Sequence, residues 1–281
     1  MKTEDNALVA PRSWLFVPGD RPERFDKAVS SGCDAVILDL EDAVAAASRP
    51  QATDNVIRWL GEREPDTGPQ LWVRVPSPDE ITDDLRTLAA LPALNGLVLP
   101  KVESAGQVTP WPVPVMAQIE TAIGVLKAAD IAANGGDHLV ALALGTEDLA
   151  LSLQCLPDAA GMTGSAQQMV LAARAYGKFA YACPGSIAVF RDLDAWEAIL
   201  LAGRGLGSDG ALCIHPAQID KVNQMFSPDA QEVEQARRVV AAFEASLAAG
   251  QAAVQLDGRM LDAPVVERAR RLVQRAQWFA A

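Results

Sequence analysis

Short apolar runs that alternate with helical stretches constrain the fold of this chain more than any other feature of its sequence. Eight such runs occur before residue 220, at positions 14–17, 35–40, 71–75, 97–99, 113–119, 139–144, 179–183 and 211–214. Runs that are apolar on both faces are typical of parallel strands covered by helices. Eight strand-helix units predict an α/β fold, a closed (β/α)8 TIM barrel rather than an open sheet.

The stretches between the runs have the periodicity of amphipathic helices, for example at 21–31, 80–91, 121–133, 166–176 and 193–205. The pattern changes after the eighth unit, where residues 228–249 and 265–278 predict two helices joined through a turn at 255–258. We therefore predict a catalytic barrel over residues 1–226 and a C-terminal helical segment over 227–281 that serves as a lid or an oligomer contact.

The charge balance excludes one class of partner. The chain has 36 acidic and 24 basic residues and a formal net charge of -12, whereas a nucleic-acid partner needs a concentrated basic face. The first eight residues lack the apolar run of a signal peptide, and no stretch reaches the roughly 20 apolar residues of a membrane span. We expect a cytoplasmic protein that contacts neither nucleic acid nor membrane.

Charged side chains follow most of the predicted strands. Glu41 and Asp42 follow the second, Arg74 the third, Glu120 the fifth and Asp148 the sixth. In barrels the loops after the strands converge at one end, where active sites lie. One or two of these acids could be helix N-caps instead, but converging carboxylates repel each other unless a cation lies between them. Oxygen ligands without a nearby histidine or cysteine favour Mg²⁺, with Mn²⁺ as a substitute.

Arg74 and His215 are the two other residues for which the sequence suggests chemistry. The planar guanidinium of Arg74 suits a substrate carboxylate or an enolate-like oxygen. A salt bridge to Glu41 or Asp42 inside the barrel is the alternative. His215 follows the last predicted strand, and it is either a base or a structural hydrogen-bonding residue.

Seven segments, in order along the barrel, together resemble the citrate lyase β-subunit-like branch of the HpcH/HpaI aldolase superfamily, which includes malyl-CoA and citramalyl-CoA lyases. They are RSWLFVPG at 12–19, LDLEDAV at 38–44, VRV at 73–75, LPKVE at 99–103, QIET at 118–121, GTEDL at 145–149 and CIHP at 213–216. The segment DGRMLDAP at 257–264 is similar to the C-terminal lid motif of the same family.

The resemblance implies roles for individual residues. Glu120 and Asp148 would hold Mg²⁺, and Arg74 would stabilise a thioester enolate or hold a carboxylate. Asp262, in the lid of a neighbouring subunit, would take part in proton transfer, which implies a homo-oligomer, a trimer or a hexamer. Further catalytic candidates are Glu41 and Asp42, and further substrate-binding candidates are Pro18, Lys101, Gly145, Thr146 and Glu147.

The resemblance also implies an activity: a Mg²⁺-dependent carbon–carbon lyase that cleaves a short 3-hydroxyacyl-CoA of the malyl- or citramalyl-CoA type to acetyl-CoA and a 2-oxo acid. A malyl-CoA thioesterase, or a metal aldolase that uses free acids, is the first alternative. The second is a citrate lyase β subunit that works on an acyl carrier protein within a complex. The chain departs from the family at Pro76, at 48–53 and at 183–185, and these departures concern the contacts to the acyl group and to the CoA phosphates.

Overall fold

Eight parallel strands form one sheet in the order β7-β6-β5-β4-β3-β2-β1-β8. The structure is a computed structural model that describes residues 10–65, 67–79, 82–109, 111–248 and 254–280. The strands are β1 Ser13–Pro18, β2 Ala35–Asp39, β3 Gln70–Arg74, β4 Gly96–Leu99, β5 Val115–Ile119, β6 Leu139–Leu144, β7 Phe179–Tyr181 and β8 Ala211–Cys213. The prediction of eight parallel strands with intervening helices is confirmed.

The seam between β7 and β8 is closed by the residues just before β8. The backbone N–H of Asp209 donates to the carbonyl of Ala180 at 2.8 Å, and the Asp209 carboxylate accepts from the N–H of Ala180 at 2.8 Å. The Ser208 hydroxyl accepts from the N–H of Ala182 at 2.9 Å. These bonds satisfy backbone groups of β7 that a ladder to β8 would otherwise satisfy, so the sheet forms a barrel.

The helices of the barrel are α1 Phe25–Val29, α2 Arg49–Gly61, α3 Asp83–Ala89, α4 Ala122–Asn134, α5 Thr146–Leu153, α6 Ala159–Ala175, α7 Leu193–Leu206 and α8 Ile219–Phe226. Helices α2, α5 and α8 were not among the helices named from the sequence, and α6 begins seven residues before the predicted start at 166. The start of the helix expected at 80–91 falls partly on residues 80 and 81, which lie outside the described residues.

Aromatic side chains fill the inside of the barrel. Trp14 makes edge contacts with Trp72 and with Tyr181, each with ring centroids 5.2 Å apart. Gly96 leaves space for the indole of Trp72, since a Cβ at this position would lie 2.4 Å from that ring. This layer closes the barrel below the carboxyl ends of the strands. At those ends the register aligns Pro18 with Asp39 and Asp39 with Arg74.

The contacts divide the chain into two units, one over Ala10–Phe226 and one that contains Ser227–Ala281. In the second unit α9 Ala230–Ala248 and α10 Ala263–Ala280 pack together, and β9 Val254–Leu256 pairs antiparallel with β10 Arg259–Leu261. The predicted turn at 255–258 is thus part of a hairpin. Within the described residues, no helix combines the length and the apolar character that crossing a bilayer requires.

Candidate active site

A cavity of about 380 Å³ opens at the carboxyl ends of the barrel strands. Its lining combines charged and polar side chains with apolar ones. The lining residues are Phe16, Pro18, Asp39, Asp42, Ala43, Arg74, Gln118, Glu120, Gly145, Thr146, Glu147, Asp148, Ile187 and Ile214. The structure therefore brings eight predicted residues together: Pro18, Asp42, Arg74, Glu120, Gly145, Thr146, Glu147 and Asp148.

Asp39 holds Arg74 in a two-pronged ion pair. The Nε and Nη2 atoms of Arg74 each donate to one carboxylate oxygen of Asp39 at 2.7 Å, and Nη1 lies 2.9 Å from Glu41 Oε2. Burial acts to lower the pKa of Arg74, but the hydrogen bonds and charge of Asp39 raise it overall. The guanidinium has five N–H groups, so two remain for a ligand in the cavity. The salt bridge to Glu41 that the sequence suggested as the alternative is present, with Asp39 as the main partner, and the role of Arg74 towards a substrate stays a prediction.

Lys101 brings the acids of two strands together. Its ammonium group donates to Glu41 and lies 3.5 Å from both Asp42 Oδ1 and Asp148 Oδ2. Burial raises the pKa of Glu41, although Arg74 and Lys101 act in the opposite direction. Glu41 and Lys101 are not among the described residues that line the cavity. Their places favour a role in holding Arg74, Asp42 and Asp148 rather than in touching the substrate.

Glu120 is the most deeply buried of the predicted metal ligands, with 1% of its surface exposed. Its Oε1 accepts from the backbone N–H of Lys101 at 2.7 Å, and its Oε2 accepts from Gln118 Nε2 at 2.6 Å. Lys101 adopts a left-handed backbone conformation, φ +50°, that is uncommon for a residue with a side chain. Burial raises the pKa of Glu120 to about 8, helped by the charges of Asp148 and Glu41 and opposed by Arg74.

Gly145 makes room for the Glu120 carboxylate. A Cβ at this position would lie 2.1 Å from Glu120 Oε2 and 2.8 Å from Gln118 Nε2. Gly145 is also the N-cap residue of α5, and it has no side chain to bond the first N–H groups of the helix. Those groups, on Thr146, Glu147 and Asp148, have no partner within the helix. They are therefore available to an anion at the cavity wall.

The cavity fits a divalent cation held by Glu120 and Asp148. Both carboxylates line it, and within the described part of the chain Arg74 and Lys101 make their ion pairs with Asp39, Glu41, Asp42 and Asp148 rather than with Glu120. Two buried oxygens in the lining, Gln118 Oε1 and Thr146 Oγ1, lack hydrogen-bond partners. No cluster of three or more acid, histidine or cysteine ligands occurs among the described residues. Two carboxylates with free positions suit Mg²⁺, which keeps water or substrate oxygens as its other ligands.

The repulsion argument made from the sequence is correct only in part. Four of the converging acids, Asp39, Glu41, Asp42 and Asp148, lie within 4 Å of the cations of Arg74 or Lys101. The protein itself therefore supplies positive charge to these acids. The repulsion argument for a metal rests on Glu120, which makes none of these ion pairs.

Two other predicted residues have local structural contacts. His215 caps a short 3₁₀ turn, because its Nδ1 accepts from the N–H of Ala217 at 3.1 Å, and its ring stacks on Phe190 with centroids 4.9 Å apart. Asp262 is exposed, and its Oδ1 accepts from the N–H of Val265 at 3.1 Å as the N-cap of α10. Asp262 thus satisfies one of the first N–H groups of α10.

Six residues of the cavity lining were not among the site residues predicted from the sequence: Phe16, Asp39, Ala43, Gln118, Ile187 and Ile214. Asp39 could have been found from register, since it ends β2 directly opposite Arg74 at the end of β3. Gln118 lies two residues before Glu120 and therefore on the same face of β5. The two isoleucines gave no signal, because an isoleucine near a strand end is ordinarily part of the core.

Comparisons with known proteins find similarity along most of the chain. The profile of the HpcH/HpaI aldolase/citrate lyase family matches residues 12–112 and 110–216. A (3S)-malyl-CoA thioesterase of Cereibacter sphaeroides is 36% identical over 280 residues, covering 96% of each sequence. A citrate lyase subunit beta-like protein of Mycobacterium tuberculosis is 36% identical over 286 residues, covering 96% of this chain and 97% of that protein.

Among solved structures, the chain is similar to CitE of Mycobacterium tuberculosis in complex with magnesium, acetoacetate and coenzyme A. The TM-score is 0.76 at 34% sequence identity, and the match covers 96% of this chain and 99% of that one. The similarity extends over both units of the chain.

Proposed function

The chain belongs to the HpcH/HpaI aldolase/citrate lyase family, and on this basis we propose that it is a Mg²⁺-dependent carbon–carbon lyase. Its substrate would be a short 3-hydroxyacyl-CoA of the malyl- or citramalyl-CoA type, and its products acetyl-CoA and a 2-oxo acid. The observation that carries the proposal is one cavity lined by Glu120, Asp148, Arg74 and the start of α5. These groups match the ionic parts of such a substrate.

Glu120 and Asp148 would hold the metal. When bound there, Mg²⁺ would supply a Lewis acid for the substrate oxygen that becomes the keto oxygen of the product. The magnesium in the similar CitE structure supports this assignment. Gln118 and the backbone N–H of Lys101 fix the Glu120 carboxylate by bonds of 2.6 and 2.7 Å, and such bonds orient a ligand before the metal arrives.

The start of α5 would bind the carboxylate of the 2-oxo acid. Its first backbone N–H groups, on Thr146, Glu147 and Asp148, are free of helical partners, and the positive end of the helix dipole lies there. Glu147 itself adds negative charge, but its Oε1 accepts a hydrogen bond from the Ser186 hydroxyl. This hydrogen bond partly offsets the negative charge of the Glu147 side chain at the start of α5.

Arg74 and Asp42 would serve the cleavage step. Burial acts to raise the pKa of Asp42, but the hydrogen bond with Glu41 and the charges of Arg74 and Lys101 lower it overall. Asp42 would take the proton of the 3-hydroxyl group. As the carbon–carbon bond breaks, the hydroxyl oxygen becomes a carbonyl and the bonding electrons pass to the thioester enolate. The two free N–H groups of Arg74 would stabilise the enolate oxygen.

Asp262 would complete the reaction from another subunit. We propose that residues 227–281 form a lid over the cavity of a neighbouring chain, where Asp262 delivers a proton to the enolate carbon and yields acetyl-CoA. The assembly would be a homotrimer or a hexamer. Three leucines on adjacent helices of the barrel support association, since Leu126, Leu151 and Leu171 are 75%, 78% and 63% exposed. Analytical ultracentrifugation tests the assembly directly.

A thioesterase is the second candidate function, because a relative at 36% identity carries the name (3S)-malyl-CoA thioesterase. In that reaction water would attack the thioester carbonyl, giving free CoA and malate with the carbon–carbon bond intact. The same metal and carboxylate subsites would serve, so the two reactions differ in which bond is polarised.

One experiment separates these functions. The purified full chain is incubated with malyl-CoA and with citramalyl-CoA, with Mg²⁺ or with EDTA, and the products are identified by mass spectrometry. A lyase gives acetyl-CoA and a 2-oxo acid only with Mg²⁺, whereas a thioesterase gives free CoA. Activity that appears only when an acyl carrier protein and its partner subunits are added would instead identify a citrate lyase β subunit. No product under any condition would contradict the proposal.

A further inference from the structure

Two isoleucines, Ile187 and Ile214, form an apolar side of the cavity. Ile187 and Ile214 both belong to its lining, and 41% of Ile214 is exposed although its side chain is large and apolar. Apolar surface inside a concave site is ordinarily covered by an apolar part of the ligand. A hydroxyl or a carboxylate would gain nothing from these side chains.

One buried amide fixes both isoleucines. Gln218 has 0% of its surface exposed, and its Oε1 accepts from the N–H groups of Ile214 at 2.9 Å and His215 at 3.1 Å. Its Nε2 donates to the carbonyls of Ile187 at 3.0 Å and Val189 at 3.2 Å. Both donors and both acceptor sites of the amide are thus used. Gln218 therefore links the segment after β7 to the segment after β8.

A second contact places the apolar side near the start of α5. The hydroxyl of Ser186, the residue before Ile187, donates to Glu147, the second residue of α5. The proposed function puts the carboxylate of the 2-oxo acid at this helix start. The neighbouring isoleucines therefore border the end of the cavity that receives the 2-oxo acid, and the group next to its carboxylate would meet them.

We propose that Ile187 and Ile214 determine which 2-oxo acid is used, with Gln218 as the residue that positions them, and that the site prefers an alkyl-bearing acid such as pyruvate over glyoxylate. This inference rests on the proposed function. Apolar contact favours each additional methyl or methylene group, whereas a second charged group would lose its hydration against the isoleucines. A pocket that recognises one such group discriminates by about 10-fold to 200-fold.

Binding to the full chain tests this inference without the cleavage reaction. Isothermal titration calorimetry with Mg²⁺ gives the dissociation constants of pyruvate, 2-oxobutyrate and glyoxylate, the last corrected for its hydrate. We expect pyruvate to bind about 10-fold or more tightly than glyoxylate. Ile187→Ala and Ile214→Ala should each reduce this ratio by about threefold to fourfold. Ile123→Ala is the matched control, because Ile123 is a comparably exposed isoleucine, 49% against 41%, on α4.

Gln218→Glu tests the positioning role, because the change removes both N–H donors to the carbonyls of Ile187 and Val189 and keeps an acceptor for Ile214 and His215. We expect the preference for pyruvate to fall while the affinity for Mg²⁺ stays unchanged. A purely structural role would lower the melting temperature and leave the preference intact. If this variant does not fold, the two Ile→Ala variants decide the question.

The outcomes separate the two proposals. Failure of the unaltered chain to bind any of the three acids in the presence of Mg²⁺ would overturn the proposed function and this inference with it. Binding without a preference for pyruvate, or a preference that survives both Ile→Ala changes, would overturn this inference and leave the lyase proposal standing. A reduced ratio in Ile123→Ala would also overturn it.

Discussion

The barrel unit buries several charged side chains of its site, whereas the ion pairs of the C-terminal unit are exposed. In the barrel Asp39, Arg74 and Glu120 are 1%, 7% and 1% exposed. In the C-terminal unit the paired side chains of Arg238 and Asp257 are 49% and 53% exposed. Buried charges must be fixed by hydrogen bonds from other groups, while exposed charges are solvated and weakly coupled. The geometry of the metal and enolate groups is therefore set within the barrel.

The two units also differ in their cores. The buried apolar cluster of the C-terminal unit consists of Ala236, Val239, Leu261, Val266 and Ala269, and two of these five are alanines. A segment of this size buries too little apolar surface to be strongly stable by itself. This favours a segment that gains stability from a partner surface, as a lid in an oligomer would. The predictions below test this division, from the largest expected effect to the smallest.

Glu120→Gln should have the largest effect. The change keeps the size of the side chain and removes the charge that a metal needs. Loss of a residue that only supports a metal ligand typically lowers metal affinity by about 10-fold to 100-fold. We expect the loss of Mg²⁺ affinity in Glu120→Gln to be larger than that. Metal-dependent turnover should be lost, and Asp148→Asn should behave in the same way. Calorimetric titration with Mg²⁺ and product analysis measure the two effects.

Glu103→Gln is the control for this pair. Glu103 follows β4 and accepts a hydrogen bond from the Thr121 hydroxyl at 2.7 Å, and it is not among the residues that line the cavity. It should leave both Mg²⁺ affinity and turnover unchanged. Circular dichroism should show a folded barrel in all three variants. Full activity in Glu120→Gln or Asp148→Asn would remove that residue from the metal site.

Arg74→Lys should have the next largest effect. A lysine ammonium cannot reproduce the two bonds to Asp39 together with the contact to Glu41. We expect turnover to fall by about 100-fold or more, as when one oxyanion donor is removed. Loss of this buried pair should also lower the free energy of unfolding by about 3 kcal/mol. Steady-state kinetics and urea unfolding measure the two quantities.

Arg12→Lys is a matched control for the ion pair. Arg12 also bonds one carboxylate through two side-chain nitrogens, to Asp34 at 2.8 and 2.7 Å, but it lies just before β1 at the other end of the barrel. We expect a loss of stability without a loss of turnover. If Arg12→Lys and Arg74→Lys reduce turnover equally, the effect of Arg74 comes from folding and not from the enolate.

The sequence predicted the residues of the site better than their partners. Strand ends are visible in a sequence, so Glu120, Asp148 and Arg74 could be brought to one end of a barrel. Which cation neutralises which acid depends on side-chain reach across neighbouring strands. The ammonium group of Lys101 pairs with Glu41 and also lies near Asp148. A periodic sequence pattern does not predict such a contact between side chains.

Two parts of the fold were also beyond the sequence. Helix α5 is only eight residues long and follows β6 after a single glycine, so its periodicity covers too few turns to be recognised. The apolar side of the cavity depends on Gln218, whose four bonds join segments about 30 residues apart. Such a long-range amide contact is a result of the closed barrel rather than of local sequence.

Asp262→Asn tests the contribution of the C-terminal unit. Asparagine caps a helix about as well as aspartate, so the bond to the N–H of Val265 and the stability of α10 should be kept. Only the charge and the proton are lost. We expect turnover to fall by about 100-fold, at the lower end of general acid–base effects, with no change in Mg²⁺ affinity. Unchanged kinetics would remove Asp262 from the mechanism and leave the barrel as the whole active site.

Arg270→Ala should have the smallest effect. Arg270 Nη2 lies 3.2 Å from Glu244 Oε1, and the two side chains are 49% and 58% exposed. Because water and salt screen such a pair, we expect a coupling with Glu244→Ala below about 1 kcal/mol in a double-mutant cycle, and less at high ionic strength. A larger coupling that persists in salt would mean that these side chains are shielded from solvent in the assembled protein. The exposed charges of the C-terminal unit would then belong to an interface, and the contrast with the barrel would hold only for the isolated chain.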